Sequence, residues 1–284
     1  MRFVATVALA AALSAPALCG DTVITKSKHT DAGKVAGREQ PAQDSTETTW
    51  FAKDRMRIEE GDTVTLIRAD LKKMFMLDTK AKTSSSIDLP FDLKKYVPAD
   101  QAPMIEQFMS QMKATVTPTT ETKQIKDWNA TKYTLTVAMP MGSGMTQEIW
   151  ATKDIKLDQA AFNDLYQAML STSMGGGSMV SEFKKIDGLA VLVERTQTMM
   201  GQSVKSREEV ISVETKDAPE GNYDVPKDFT DKPFDPMSQG PMGGGARGRG
   251  GRPAGPPPTD KPADKPVDKP VDKPKGGNAL IQQD

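Results

Sequence analysis

Polar and apolar residues alternate through much of the chain, and the period changes only in a few places. Arg55-Met56-Arg57-Ile58-Glu59 places apolar side chains on every second position, as a strand with one buried face requires. Glu60-Gly61-Asp62 then supplies a turn before Thr63–Arg68, which predicts a hairpin. Thr22–Lys28 and Glu47–Phe51 precede this pair. Met74–Leu77 and Thr83–Leu89 follow it, separated by the polar turns Asp70–Lys73 and Asp78–Lys82. Further strands are expected at Ala114–Thr119, Lys132–Ala138, Thr146–Ala151, Ala190–Met199 and Ser203–Glu214. Short turns between consecutive strands imply a meander and not a parallel, crossover-connected sheet.

Helical spacing appears three times. Met104, Ile105, Phe108, Met109 and Met112 share one face, as do Phe162, Leu165, Tyr166, Met169 and Leu170 after the capping residue Asp158. Met179, Val180, Phe183 and Ile186 mark a third helix, stopped at Asp187-Gly188, and Ser171–Ser178 between the last two reads as a mobile loop. The layout is α+β, with one long antiparallel sheet and amphipathic helices covering one of its faces.

The ends differ from this middle. Met1-Arg2, the apolar run Val4–Leu13 and the small residues Ala15, Ala17 and Cys19 form a secretory signal, with cleavage expected after Ala17 or Cys19. Pro16 and Leu18 are a poor fit to a lipobox, so acylation of Cys19 is not expected, and no later segment is long and apolar enough for a transmembrane helix. From Pro233 onward lie 10 of the 22 Gly and 11 of the 20 Pro, with Asp-Lys-Pro repeats beginning at Asp260, Asp264, Asp268 and Asp272. Such a tail cannot bury enough apolar surface to offset chain entropy and is expected to be disordered. The expected organisation is a signal peptide over 1–19, a sheet domain over 20–232 and a tail over 233–284.

Charge and composition exclude several classes. With 37 Lys and Arg against 38 Asp and Glu, nothing draws the chain to nucleic acid. One Cys and one His cannot build an intramolecular disulfide, a Cys-based zinc site or a His cluster. No catalytic motif is present, so the chain is expected to be non-enzymatic, periplasmic or secreted, and without a cofactor. His29 near Asp31 has no nucleophile motif beside it. Asp70 with Lys72-Lys73, and Glu208-Glu209, read as solvated strand ends and faces, and Trp50, Trp128 and Trp150 as anchors of the sheet. Eleven of the 17 Met lie between Met104 and Met200, and their flexible thioethers suit either irregular cores or adaptable apolar surfaces.

Several local sequences resemble an exported bacterial family known only as a domain of unknown function, within the LolA/LppX-like lipoprotein-carrier superfamily. They are Arg55-Met56-Arg57, Arg68–Lys73, Leu77-Asp78, Trp128–Tyr133, Glu148–Ala151 and Tyr223–Phe229. The resemblance covers about Asp21–Phe234. It implies a curved, half-open antiparallel sheet whose concave side is plugged by helices and accepts acyl chains. The helix faces expected to cover that side make Met104, Phe108, Met109, Met112, Phe162, Tyr166, Met169 and Phe183 the candidate ligand-binding residues, and the resemblance makes a lipid or lipoprotein acyl chain the partner. Two alternatives stand beside this one. The domain could be an interaction module whose Pro-rich tail contacts cell wall or envelope, or a copper protein using Met139, Met141 and Met145.

Overall fold

The computed structural model describes residues 20–35, 38–140, 143–172, 176–199 and 201–235. The expected signal peptide and nearly all of the expected tail therefore lie outside the described residues. In chain order the elements are β1 (Asp21–Thr30), β2 (Gly33–Val35), β3 (Arg38–Gln40), β4 (Gln43–Ala52), β5 (Arg55–Glu60), β6 (Thr63–Arg68), β7 (Lys73–Asp78) and β8 (Thr83–Asp88). Then come α1 (Ala102–Ser110), β9 (Lys113–Ile125), β10 (Trp128–Ala138), β11 (Gly144–Thr152), α2 (Gln159–Ser171), α3 (Gly176–Phe183), β12 (Leu189–Met199), β13 (Gln202–Lys216) and β14 (Thr230–Asp231).

Twelve strands form one sheet in the order β14-β8-β7-β6-β5-β4-β1-β13-β12-β11-β10-β9, while β2 and β3 make a small separate hairpin. Every pairing in the large sheet is antiparallel except β14 against β8. The expected meander is present as two runs, β4–β8 and β9–β13. They are joined by β1, which pairs β4 on one side and β13 on the other, so that Asp21 lies opposite Lys216.

The expectation of a curved, half-open sheet is corrected. The sheet is open, with edge strands β14 and β9 at opposite ends of the order, and it is neither strongly curled nor closed. Curling needs bulges or glycine kinks. Register from β4 through β8 runs without interruption, and shifts occur only at Thr25/Lys26, Thr131/Tyr133 and Trp150/Ala151. The apolar positions on the two faces also have separate covers, so burying them does not require a rolled sheet.

On one face Phe51, Met56, Ile67, Met74 and Ile87 pack against Leu165 of α2, with Ala161, Ala168 and Met169 beside it. Farther along the same layer, Tyr133, Leu135, Val137 and Ile149 pack with Met112, Phe108 and Phe183. On the opposite face Val64, Leu66 and Leu77 pack against Val225 and Phe229. That second cover is the segment after β13, which crosses back over the sheet and is tied down by Tyr223, whose hydroxyl donates to Asp21 Oδ2 at 2.6 Å. Full burial of a side chain such as Leu66 or Ile67 contributes about 1.5–3 kcal/mol, and both are fully buried. Phe234 packs edge-on against Phe91 and Tyr96, at 6.2 and 5.3 Å between ring centroids.

Asp158 caps α2, its carboxylate accepting from the Ala161 amide at 3.1 Å. The expected loop Ser171–Ser178 is shorter than its glycines suggest, because α3 already begins at Gly176. Residues 173–175 lie outside the described residues.

A cavity between the helices and the sheet

Alternation fixes which side chains of β11, β12, β13 and β1 face the helices. Gln147 lies directly opposite Arg195, Ile149 opposite Val193, Val193 opposite Glu208, and Val210 opposite Lys26. These residues form the floor of a cavity of about 110 Å³. Phe162, Asn163, Tyr166 and Gln167 of α2 roof it, at the i, i+1, i+4, i+5 spacing of one helix face. Phe183 and Ile186 close one side. Phe51, Phe162, Tyr166 and Phe183 form a chain of ring contacts with centroid separations of 5.4, 6.1 and 6.1 Å.

The cavity has an apolar part and a charged part. Ile149, Leu189, Val191, Val193 and Val210 supply the first. Lys26, Arg195 and Glu208 are the charged lining among the described residues. Lys26 Nζ donates to Glu47 Oε1 at 2.8 Å, and Lys28 Nζ bridges Glu47 and Glu60 at 3.3 and 2.7 Å. Burial alone would push the Lys26 ammonium down, but the facing Glu47 carboxylate holds it above its ordinary value. Burial would likewise push Glu47 up, and Lys26 and Lys28 together hold it below its ordinary value. The buried Tyr166 hydroxyl is pushed up by burial first. Arg195 Nη2 lies 3.3 Å from Glu208 Oε1, whereas its Nε is buried with no hydrogen-bond partner among the described residues.

One hydrogen bond ties α3 to the sheet. Glu182 accepts from the Val116 amide of β9 at 2.7 Å and pairs with Lys185. Gly188, after the helix, has φ +107°, and a Cβ there would fall against the carbonyl oxygen of Thr152. Only glycine suits that turn.

Of the eight candidate binding residues, Phe162, Tyr166 and Phe183 line the cavity. Phe108 and Met112 pack in the neighbouring core, and Met169 packs over β4–β8. Met109 is half-buried, and Met104 is 66% exposed. The charged lining was not anticipated. Glu208, read as part of a solvated pair, faces the cavity, whereas Glu209 pairs with Arg207 on the other face. The available signal was the alternation Lys26-Ser27-Lys28 in a strand with a buried face. Asp70 pairs with Arg68 and not with the lysines after it. Trp150 is buried, with Trp128 packed against the same cluster.

His29 lies near Asp31 as expected, with Nε2 at 3.2 Å, and Asp44 is closer to Nδ1 at 2.7 Å. Met139 and Met145 pack against the core near α3, and Met141 lies outside the described residues. Among the described residues no group of three or more His, Cys, Asp or Glu is placed to hold a metal ion, and no helix is long and apolar enough to cross a membrane.

A family profile described as a domain of unknown function, DUF4412, matches residues 38–229. No curated protein matches the chain. Among solved structures, a proposed outer membrane lipoprotein-sorting protein domain from Vibrio parahaemolyticus is similar at 9% identity. That match covers 74% of this chain and 91% of the other, with a TM-score of 0.28. A DUF1329 family protein from Desulfovibrio piger is similar at 11% identity, over 72% and 89% of the two chains, with a TM-score of 0.21. At these scores neither likeness bears on what the cavity holds.

Proposed function

We propose that this chain, which belongs to the DUF4412 family, is an exported, non-enzymatic envelope protein that holds a lipid or lipoprotein acyl chain between its helices and its sheet. The supporting observation is the hollow beneath α2 and α3, walled by Ile149, Phe162, Phe183, Val191 and Val193. Export rests on the signal-like sequence Met1–Cys19.

At about 110 Å³ the hollow is smaller than an engineered cavity of about 150 Å³ that takes benzene. A long chain therefore enters only as α3 and the roofing face of α2 lift from the sheet. Such opening leaves the strand pairing intact and releases the 2.7 Å hydrogen bond from the Val116 amide to Glu182 that holds α3 on β9. Exposing the apolar floor is unfavourable without a ligand and is offset when a chain replaces the lost contacts.

Mass spectrometry of gently purified protein, with a solvent-extracted control, tests this together with displacement of a fluorescent acyl probe. The expected result is co-purified lipid and saturable displacement. Val193→Trp, which fills the hollow from its floor, is expected to lower probe affinity at least about tenfold while the thermal transition persists. Absence of both lipid and displacement in the unaltered protein overturns the proposal.

A further inference from the structure

We infer that the charged end of the hollow is a carboxylate-binding subsite, so that the ligand is a single-chain free fatty acid and not an esterified chain. The inference rests on reading the hollow as an acyl site and adds the chemistry of the head group.

Three observations carry it. Lys26 is matched by Glu47 and Arg195 lies beside Glu208, so the lining has no excess charge and a ligand is recognised through the donors left over. Arg195 Nε is buried and has no partner among the described residues. Buried donors are ordinarily satisfied, and leaving one unmade is costly. Arg195 Nη2 lies 3.3 Å from Glu208 Oε1 and Nε takes no part in that pair, so the Nε edge of the guanidinium is not used up. Lys26 spends one of its three N–H donors on Glu47, and the ammonium still lines the hollow.

A planar guanidinium edge is suited to a carboxylate, whose two oxygens can accept from Nε and a terminal nitrogen together. The apolar floor starts one residue pair away, since the Gln147–Arg195 pair is followed along β11 and β12 by Ile149–Val193. A carboxylate at Arg195 therefore directs its alkyl chain along Ile149, Val193 and Val191 beneath Phe162 and Phe183. The small volume fits this choice, because a carboxylate is among the smallest anionic head groups and leaves room for the first carbons of its chain.

The test compares decanoate, decanol and decylamine as competitors of one fluorescent acyl probe, using the full chain and two variants, Arg195→Gln and Arg195→Lys. Decanoate is expected to compete at least about tenfold more tightly than decanol, with decylamine weakest. Arg195→Gln is expected to bring decanoate and decanol to within about twofold of each other, and Arg195→Lys to keep most of the preference. Because the readout is a ratio between ligands on the same folded protein, a general loss of stability does not imitate the result. Equal competition by decanoate and decanol in the unaltered protein, or an undiminished preference in Arg195→Gln, overturns the inference while leaving the acyl site standing. Failure of all three ligands to displace the probe overturns the acyl site and the inference together.

Discussion

The two runs of the sheet are built alike and finished differently. From β4 to β8 both faces are covered, one by α2 through Leu165 and Met169, the other by the segment carrying Val225 and Phe229. From β9 to β13 the helices cover one face. The other has no helix over it and carries ion pairs such as Lys132–Glu148, Arg207–Glu194 and Arg207–Glu209 beside the buried Trp150 and Leu192. The hollow lies in this second run, and its roof is the flank of the same α2 that seals the first. A doubly covered sheet has few ways to rearrange, because moving either cover exposes core. A singly covered one can release its cover while its ladder stays intact. The first run thus serves as an anchor for α2, and the second as the half that can open.

The largest expected effect comes from the charged row at the junction of the two. Glu47→Gln leaves the part-buried Lys26 without its main counter-charge and is expected to cost up to about 5 kcal/mol in urea unfolding. The pH dependence is a sharper version of the same test. Glu47 is held below its ordinary value of 4.5 in the folded protein, so its contribution is present above that value and is lost as pH falls through the depressed one. The Lys26 contribution behaves oppositely and is lost only as pH rises through its raised value, above 10.5. The Gln variant is expected to lose less additional stability on acidification than the parent. An unchanged acid limb would show that the row is not what ties the halves together.

Next come paired truncations. Ile67→Ala and Ile149→Ala each remove a buried side chain and are each expected to cost about 2–5 kcal/mol. They are expected to part company in ligand binding. Ile67 belongs to the sealed half, so probe affinity per folded molecule stays the same. Ile149 forms the floor of the hollow, so affinity and preferred chain length both change. Equal effects of the two on binding would erase the distinction between the halves. A smaller cost, about 1 kcal/mol, is expected for Tyr223→Phe, which removes the 2.6 Å hydrogen bond to Asp21 that ties down the second cover.

The strands and helix faces were legible because period 2 and period 3.6 are local properties. The Asp158 cap was legible for the same reason. The pairing of β1 with β13 was not, since nothing in Thr22–Lys28 specifies a partner almost two hundred residues away. Nor was the second cover visible, because Val225 and Phe229 sit in a stretch without periodicity. The helical stripe from Met104 to Met112 shows the limit of pattern reading. The helix ends at Ser110, so Met112, 7% exposed, packs from the turn after it, while Met104 on the first turn is 66% exposed. The cavity charges were missed because alternation alone cannot tell a lysine facing solvent from one facing a buried glutamate.

The smallest expected effect concerns the solvated face of β1, the strand that joins the two runs. His29 sits on β1 opposite both Arg207 and Asp44, with Asp31 beside its other nitrogen. The hydrogen bond to Asp44 is the main cause that raises its titration above the ordinary 6.5. Because the folded value is the higher one, any contribution is present below 6.5 and fades as pH rises through the raised value. The chain has one His, so its imidazole resonance in a proton NMR titration is unambiguous. The expected midpoint lies above 6.5 in the parent and moves down in Asp44→Asn. His29 is exposed and its partners are solvated, so His29→Ala is expected to leave the urea midpoint almost unchanged. If that variant instead unfolded as readily as Glu47→Gln, the solvated row would be as important as the buried one, and the contrast between the two faces would fail.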